Sequence, residues 1–185
     1  MNRMNYLSRL TLAGMFILMA GCSMKPASFY QLQAQQQEAN LEAVGPAVLL
    51  GPVTLADYLQ REQIIQRQED GSLLLSKDGY WAGDLQGNIG QLLLNEMSRQ
   101  LKSSNVALYP DRIGVEQQAQ VILTLSRLDS GPQQPAVMEV QWRVLNKQGK
   151  TQETGMLSVE QEHDGSLLGQ VKAQEKLLQQ LAERL

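Results

Sequence analysis

The chain has 185 residues, 43% of them hydrophobic and 19% charged, and its 16 Lys and Arg against 19 Asp and Glu give a net charge of −3. That length allows one domain with a real core. The acidic balance argues against a nucleic-acid binder, which needs a basic face, and the single cysteine argues against a disulfide framework.

The amino terminus reads as an export signal. Arg3 and Arg9 form a positive n-region, and Leu10 to Ala20 is apolar. This run is shorter than the ~20 residues a spanning helix needs, and it suits an h-region. Ala20-Gly21 directly before Cys22 is a bacterial lipobox, with Met19 where leucine is commoner. An ordinary secretory signal and a single N-terminal anchor are the competing readings. A lone cysteine at the cleavage point favours the lipobox, because exported proteins pair cysteines or avoid them. Residues 1–21 are therefore expected to be a lipoprotein signal peptide and Cys22 the lipidated residue. Several acyl chains make a stable tether where one does not. Ser23 lacks the retention that Asp would confer in enteric-type bacteria, so the expected location is the outer membrane, facing the periplasm. From Cys22 onward there are 14 basic and 19 acidic residues, a net charge of −5. Membrane association is thus expected from the anchor and not from a basic patch.

Residues 22–46 read as a tether, Gln-rich from Gln33 and closed by Gly45-Pro46. Within it, Phe29-Tyr30-Gln31-Leu32 alternates and reads either as a short edge strand or as disordered chain. The domain is expected over 47–185. Ala47-Val48-Leu49-Leu50 is a buried-strand run interrupted by Gly51-Pro52, so the strand is an edge or carries a bulge. Leu55 to Leu59 reads as a turn-like piece and Gln63 to Arg67 as a strand. Asp70-Gly71 signals a hairpin; Ser72 to Ser76 is the next strand, and Asp78-Gly79 reads as a turn into Tyr80-Trp81-Ala82. Asp84 caps a helix whose Leu85, Ile89, Leu92, Leu93, Met97 and Leu101 share one face. Val106 to Tyr109 is a short strand. Val121 to Ser126 and Met138 to Val144 alternate as strands, with Asp129-Ser130-Gly131-Pro132 read as the turn between them. Thr151 to Glu162 is a weaker strand, and Asp164-Gly165-Ser166 opens a last helix. Consecutive strands exclude a doubly wound parallel sheet. The expected fold is α+β: a mostly antiparallel twisted β-sheet with two helices packed on one face.

Catalytic patterns are sparse. His163, the only histidine, lies in a polar turn between Glu162 and Asp164, without a nucleophile or metal set near it. Asp57, Asp84 and Asp111 sit at turn or cap positions, where Asp bonds local backbone. No P-loop or GxGxxG is present. No catalytic residue, metal or cofactor is expected. Trp142 reads as core. Tyr58, Leu59 and Trp81 fall in connecting segments, where core packing competes with a role as contact anchors.

Taken in order, several residues resemble a known family. They are the lipobox at Cys22, Phe29-Tyr30-Gln31-Leu32, Gly51-Pro52-Val53-Thr54-Leu55 leading to Asp57-Tyr58-Leu59, and the strand Gln63-Ile64-Ile65. Trp81-Ala82-Gly83-Asp84-Leu85, Tyr109-Pro110 and the paired strands around Val121 to Leu128 and Val137 to Leu145 complete the order. It resembles the PqiC-type (YmbA) lipoproteins, the auxiliary lipoprotein family of ABC-type and MCE transport systems. The resemblance implies a non-enzymatic component of phospholipid traffic between two membranes. It further implies a PqiB-like MCE-domain protein and its inner-membrane partner as binding partners, with a homo-oligomeric ring left open. On this reading the lipoprotein docks the far end of the MCE bridge, and Tyr58, Leu59 and Trp81 are the partner-binding candidates. An accessory lipoprotein of lipopolysaccharide or β-barrel assembly is the alternative, and a cell-wall hydrolase a remote one.

Overall fold

The computed structural model describes residues 26–34, 41–43, 45–111 and 116–185. The expected signal peptide over residues 1–21, the expected lipidation at Cys22 and most of the Gln-rich stretch lie outside the described residues.

One eight-stranded sheet carries two helices on one face. The strands are β1 (Ser28–Tyr30), β2 (Val48–Leu55), β3 (Gln63–Arg67), β4 (Leu73–Trp81), β5 (Val106–Leu108), β6 (Ala119–Gly131), β7 (Gln134–Asn146) and β8 (Thr151–Gln161). The helices are α1 (Leu85–Leu101) and α2 (Leu167–Ala182). The long antiparallel ladders join β6 to β7 and β7 to β8. On its other side β6 meets two strands end to end, β2 along residues 119–125 and β3 at the single pair Gln66↔Ser130, both parallel. The sheet therefore forks: one branch continues to β5 and the other through β4 to β1. The α+β expectation is met, with parallel pairing confined to the shorter ladders of the fork.

Both helices begin where the sequence predicts, after Asp84 and after Asp164-Gly165-Ser166. Asp84 accepts a hydrogen bond from the Gly87 amide at 2.7 Å, and Ser166 accepts one from Gly169 at 3.0 Å. Each satisfies an amide that the first helical turn leaves without a partner. α1 covers β2 and β5, α2 covers β6 to β8, and the helices touch each other. Between helices and sheet, Leu50, Ile64, Ile89, Leu93, Leu123, Leu177 and Leu178 are buried to 1% exposure or less. Trp142 packs against this core as expected. Its indole lies over Gly155, where a Cβ would come within 2.0 Å of the ring.

Two local readings change, and one is resolved. Of the two readings of Gly51-Pro52, the bulge is observed: it lies inside β2, a strand between β5 and β6. Asp78-Gly79 is not a turn; β4 runs through it to Trp81, with a register shift against β3. The Ser76 hydroxyl accepts the Gly79 amide at 3.0 Å, which occupies a donor that the irregular ladder would otherwise strand. Asp129-Ser130-Gly131 is likewise strand: β6 continues to Gly131 and turns only afterwards. Of the two readings of Phe29-Tyr30-Gln31-Leu32, the edge strand is observed. β1 pairs parallel with the end of β4, and Leu32 is buried in the core.

Candidate functional site

The end of β4 helps form an open groove of about 700 Å³. Its walls come from Leu59 and Gln60 after β2, Arg61 and Glu62 before β3, Trp81 of β4 and Leu85 at the start of α1. Phe29 of β1 stands at its margin with its ring 5.7 Å from that of Tyr80. Backbone bonds fix these elements together. The Trp81 amide donates to the Glu62 carbonyl at 2.7 Å, and the Ala82 amide donates to the Tyr30 carbonyl at 2.6 Å. The groove is therefore built on rigid strand ends with the capped start of α1 closing one side. Its floor is apolar and its rim mixed in charge, with Arg61, Glu62 and Asp84 exposed. An apolar floor with a polar rim is the layout of a protein contact site.

Two of the three sequence candidates meet here. Leu59 and Trp81 both line the groove, yet both side chains are buried, so they form its wall and do not project from it. Phe29, 68% exposed, is the large apolar side chain that the groove margin presents to solvent. Tyr58 is directed elsewhere. Its hydroxyl donates to Asp129 Oδ2 at 2.7 Å, at the fork of the sheet.

Asp129 is the centre of a second polar cluster. It is 0% exposed. Arg67 Nε reaches its Oδ1 at 2.8 Å and Arg67 Nη2 its Oδ2 at 2.6 Å, while Arg127 Nε adds a contact to Oδ1 at 3.1 Å. Burial pushes the Asp129 carboxyl up, but the hydrogen bonds from Arg67 and Tyr58 and the charge of Arg127 outweigh it and hold it below its ordinary 3.8. Burial and the neighbouring carboxylate push the Tyr58 phenol far above its ordinary 10.0, so it stays a donor. A neutral donor and two permanent cations around one ionised carboxylate leave no group free to take up or release a proton near neutrality. The cluster is a clamp on the fork. On the helix side of the same junction, Gln66 Nε2 bonds Gln170 Oε1 at 3.1 Å and Gln174 Nε2 bonds the Ser130 hydroxyl at 3.1 Å.

His163 bridges two backbone groups. Its Nε2 lies 2.9 Å from the Gln134 carbonyl, and its Nδ1 accepts the Gly165 amide at 3.0 Å, which sets the neutral tautomer. It braces the turn into α2. Among the described residues, no group of three His, Cys, Asp or Glu could hold a metal. Among the same residues, no helix is long and apolar enough to cross a membrane.

Comparison with known proteins agrees with this architecture. Residues 30–185 match the family model described as ABC-type transport auxiliary lipoprotein component. The fold is similar to that of protein XCC0632 from Xanthomonas campestris, with a TM-score of 0.68 at 14% identity, over 85% of this chain and 91% of that one. It is also similar to a crystal structure of an uncharacterised protein, with a TM-score of 0.67 at 19% identity, over 86% of this chain and 96% of that one. No curated protein matches the chain.

Proposed function

The chain belongs to the ABC-type transport auxiliary lipoprotein family, and from that premise we propose that it docks an MCE-type bridge at the outer membrane. In this reading Cys22 carries the acyl anchor, the domain faces the periplasm, and an MCE-domain protein from the inner membrane seats at the β4 groove. The system served is intermembrane phospholipid transport. The observation that carries docking over direct lipid carriage is the filled interior. Ile64, Leu93, Leu123, Leu177 and Leu178, each 0% exposed, occupy the space between sheet and helices. A close-packed core of that kind has no room for an acyl chain. Lipid would travel through the partner, and this domain would hold the partner in place. The groove supplies a fixed apolar wall with an exposed aromatic beside it, the combination enriched at contact hot spots.

The test is site-specific photocrosslinking in intact envelopes. A photoreactive residue at Gln86, on the groove rim, is expected to capture an MCE-domain protein. The same residue at Gln148, in the β7–β8 turn, is expected to capture none. Equal capture at both positions, or capture of a β-barrel assembly component at Gln86, would overturn the reading.

A further inference from the structure

We propose that the leucine run at the start of β4, Leu73–Leu75, rests on the lipid surface beside the chain's own acyl anchor. This rests on the reading of Cys22 as the lipidated residue. Leu73, Leu74 and Leu75 are 38%, 54% and 50% exposed. Three consecutive exposed leucines in a strand are unusual for a surface facing only water.

Their position relative to the anchor follows from the topology. β1 is parallel to β4, with Ser28 opposite Gly79 and Tyr30 opposite Trp81. Moving back along either strand leads toward the same end of the sheet, the end where Leu73 lies. Ser28 lies six steps along the chain from Cys22, which fully extended is a reach of about 20 Å. Gly79 likewise lies six steps from Leu73, about 20 Å of strand. An acylated Cys22 can therefore lie no further from the β1–β4 edge than the length of that edge itself. On this tether the Ser28–Gly79 part of the edge stays within about 20 Å of the headgroups, and the direction of β1 back toward Cys22 favours the Leu73 end as the one that faces them.

The shape of the run fits a lipid layer. Leu75 pairs with Ile65 and Leu73 with Arg67, whereas Leu74 pairs with Gln66, which bonds to α2. Successive side chains point to opposite faces, so leucines project from both sides of an edge that β1 leaves uncovered at this end. A blade that is apolar on both faces enters an interfacial layer more readily than it seats on one flat partner surface. The adjoining turn carries acidic Glu69 and Asp70, so the contact is apolar and not electrostatic. This orientation also turns the groove at Trp81, about 26 Å along β4 from Leu73, away from the anchoring membrane.

The experiment uses the full acylated protein in phosphatidylethanolamine and phosphatidylglycerol vesicles. Acylation of Cys22 is first verified by intact mass; an unmodified Cys22 would overturn the anchor reading itself, separately from this one. With Cys22 occupied by lipid, Leu74→Cys gives a single thiol for an environment-sensitive fluorophore, and Gln148→Cys a distant control. Quenching by lipid-borne quenchers is expected to be several times stronger at position 74 than at 148. It is expected to fall to the control level when Leu73→Gln and Leu75→Gln are added, with the melting transition unchanged. Acylated protein with equal quenching at both positions would overturn the proposal. So would a fluorescence change at 74 that depends on protein concentration and occurs without vesicles, which would mean that a second copy covers the run.

Discussion

The guanidinium of Arg67 grips both carboxylate oxygens of Asp129, at 2.8 and 2.6 Å, across a junction where β3 and β6 share one register pair. So short a ladder supplies few backbone bonds, and the two-point ion pair supplies the missing constraint. The groove is built on the branch that this pair holds in place.

Arg67→Ala should destabilise the domain by about 3 kcal/mol, because it leaves a buried carboxylate with weaker partners. Tyr58→Phe removes one neutral donor from the same carboxylate and should cost about 1 kcal/mol. Urea titration of each variant measures both values. An Arg67→Ala variant as stable as the parent would show that the clamp is not needed to close the fork.

Stability on the acid side should depend on Asp129. Its carboxyl is held below the ordinary 3.8 in the folded chain. The folded protein thus keeps the charge to lower pH than the unfolded chain does. The stabilisation is complete above the unfolded value, about pH 4, and is lost as pH falls through the depressed folded value. Glu175 works in the opposite sense. Burial raises its carboxyl against the hydrogen bond from the Gln33 amide, so its contribution favours the fold at low pH and is lost as pH rises through its folded value. Asp129→Asn should flatten the acid limb of a stability-against-pH profile while lowering stability at neutral pH. An unchanged acid limb would contradict this assignment.

A Cβ at position 131 would lie 1.9 Å from the Arg67 carbonyl oxygen. That oxygen is backbone and cannot rotate away, so β6 and β3 would have to separate. Gly131→Ala should therefore cost about 3 kcal/mol. Hydrogen exchange should show faster opening of β3 and β4 than of the β7–β8 ladder. Uniform acceleration across the sheet would point to global loss of stability instead.

The groove can be tested without touching its buried wall. Leu59→Ala and Trp81→Ala should each cost about 3 kcal/mol because both side chains are packed, so a loss of binding in either would be ambiguous. Gln86 is exposed on the rim. Gln86→Trp should fill the groove, change stability by less than about 0.5 kcal/mol, and reduce recovery of the partner several-fold. Full recovery of the partner with that variant would place its contact elsewhere.

Periodicity made the helices and the long β6–β7–β8 ladders legible in the chain. Asp84 and the tripeptide Asp164-Gly165-Ser166 marked the helix starts because capping side chains act on their own neighbours and leave a local trace. The fork was not legible, since which strands meet β6 end to end is decided by tertiary packing. Asp129-Ser130-Gly131-Pro132 has the composition of a turn, yet pairing with β7 extends the strand through Asp129, and Arg67 and Tyr58 then bury it. No spacing rule links residues 58, 67 and 129, so the clamp left no signal. Leu59 and Trp81 could be chosen as paired apolar positions in connecting segments. That they form the wall of one groove, with Phe29 as the exposed member, depends on β1 pairing with the end of β4.

The most direct test of the proposed docking role is affinity purification of the full chain, with Cys22 intact, from crosslinked, detergent-solubilised envelopes, with identification of what comes with it. The account predicts an MCE-domain protein together with its inner-membrane partner, lost with Gln86→Trp. Recovery of a lipopolysaccharide or β-barrel assembly component, with no MCE-domain protein, would contradict it.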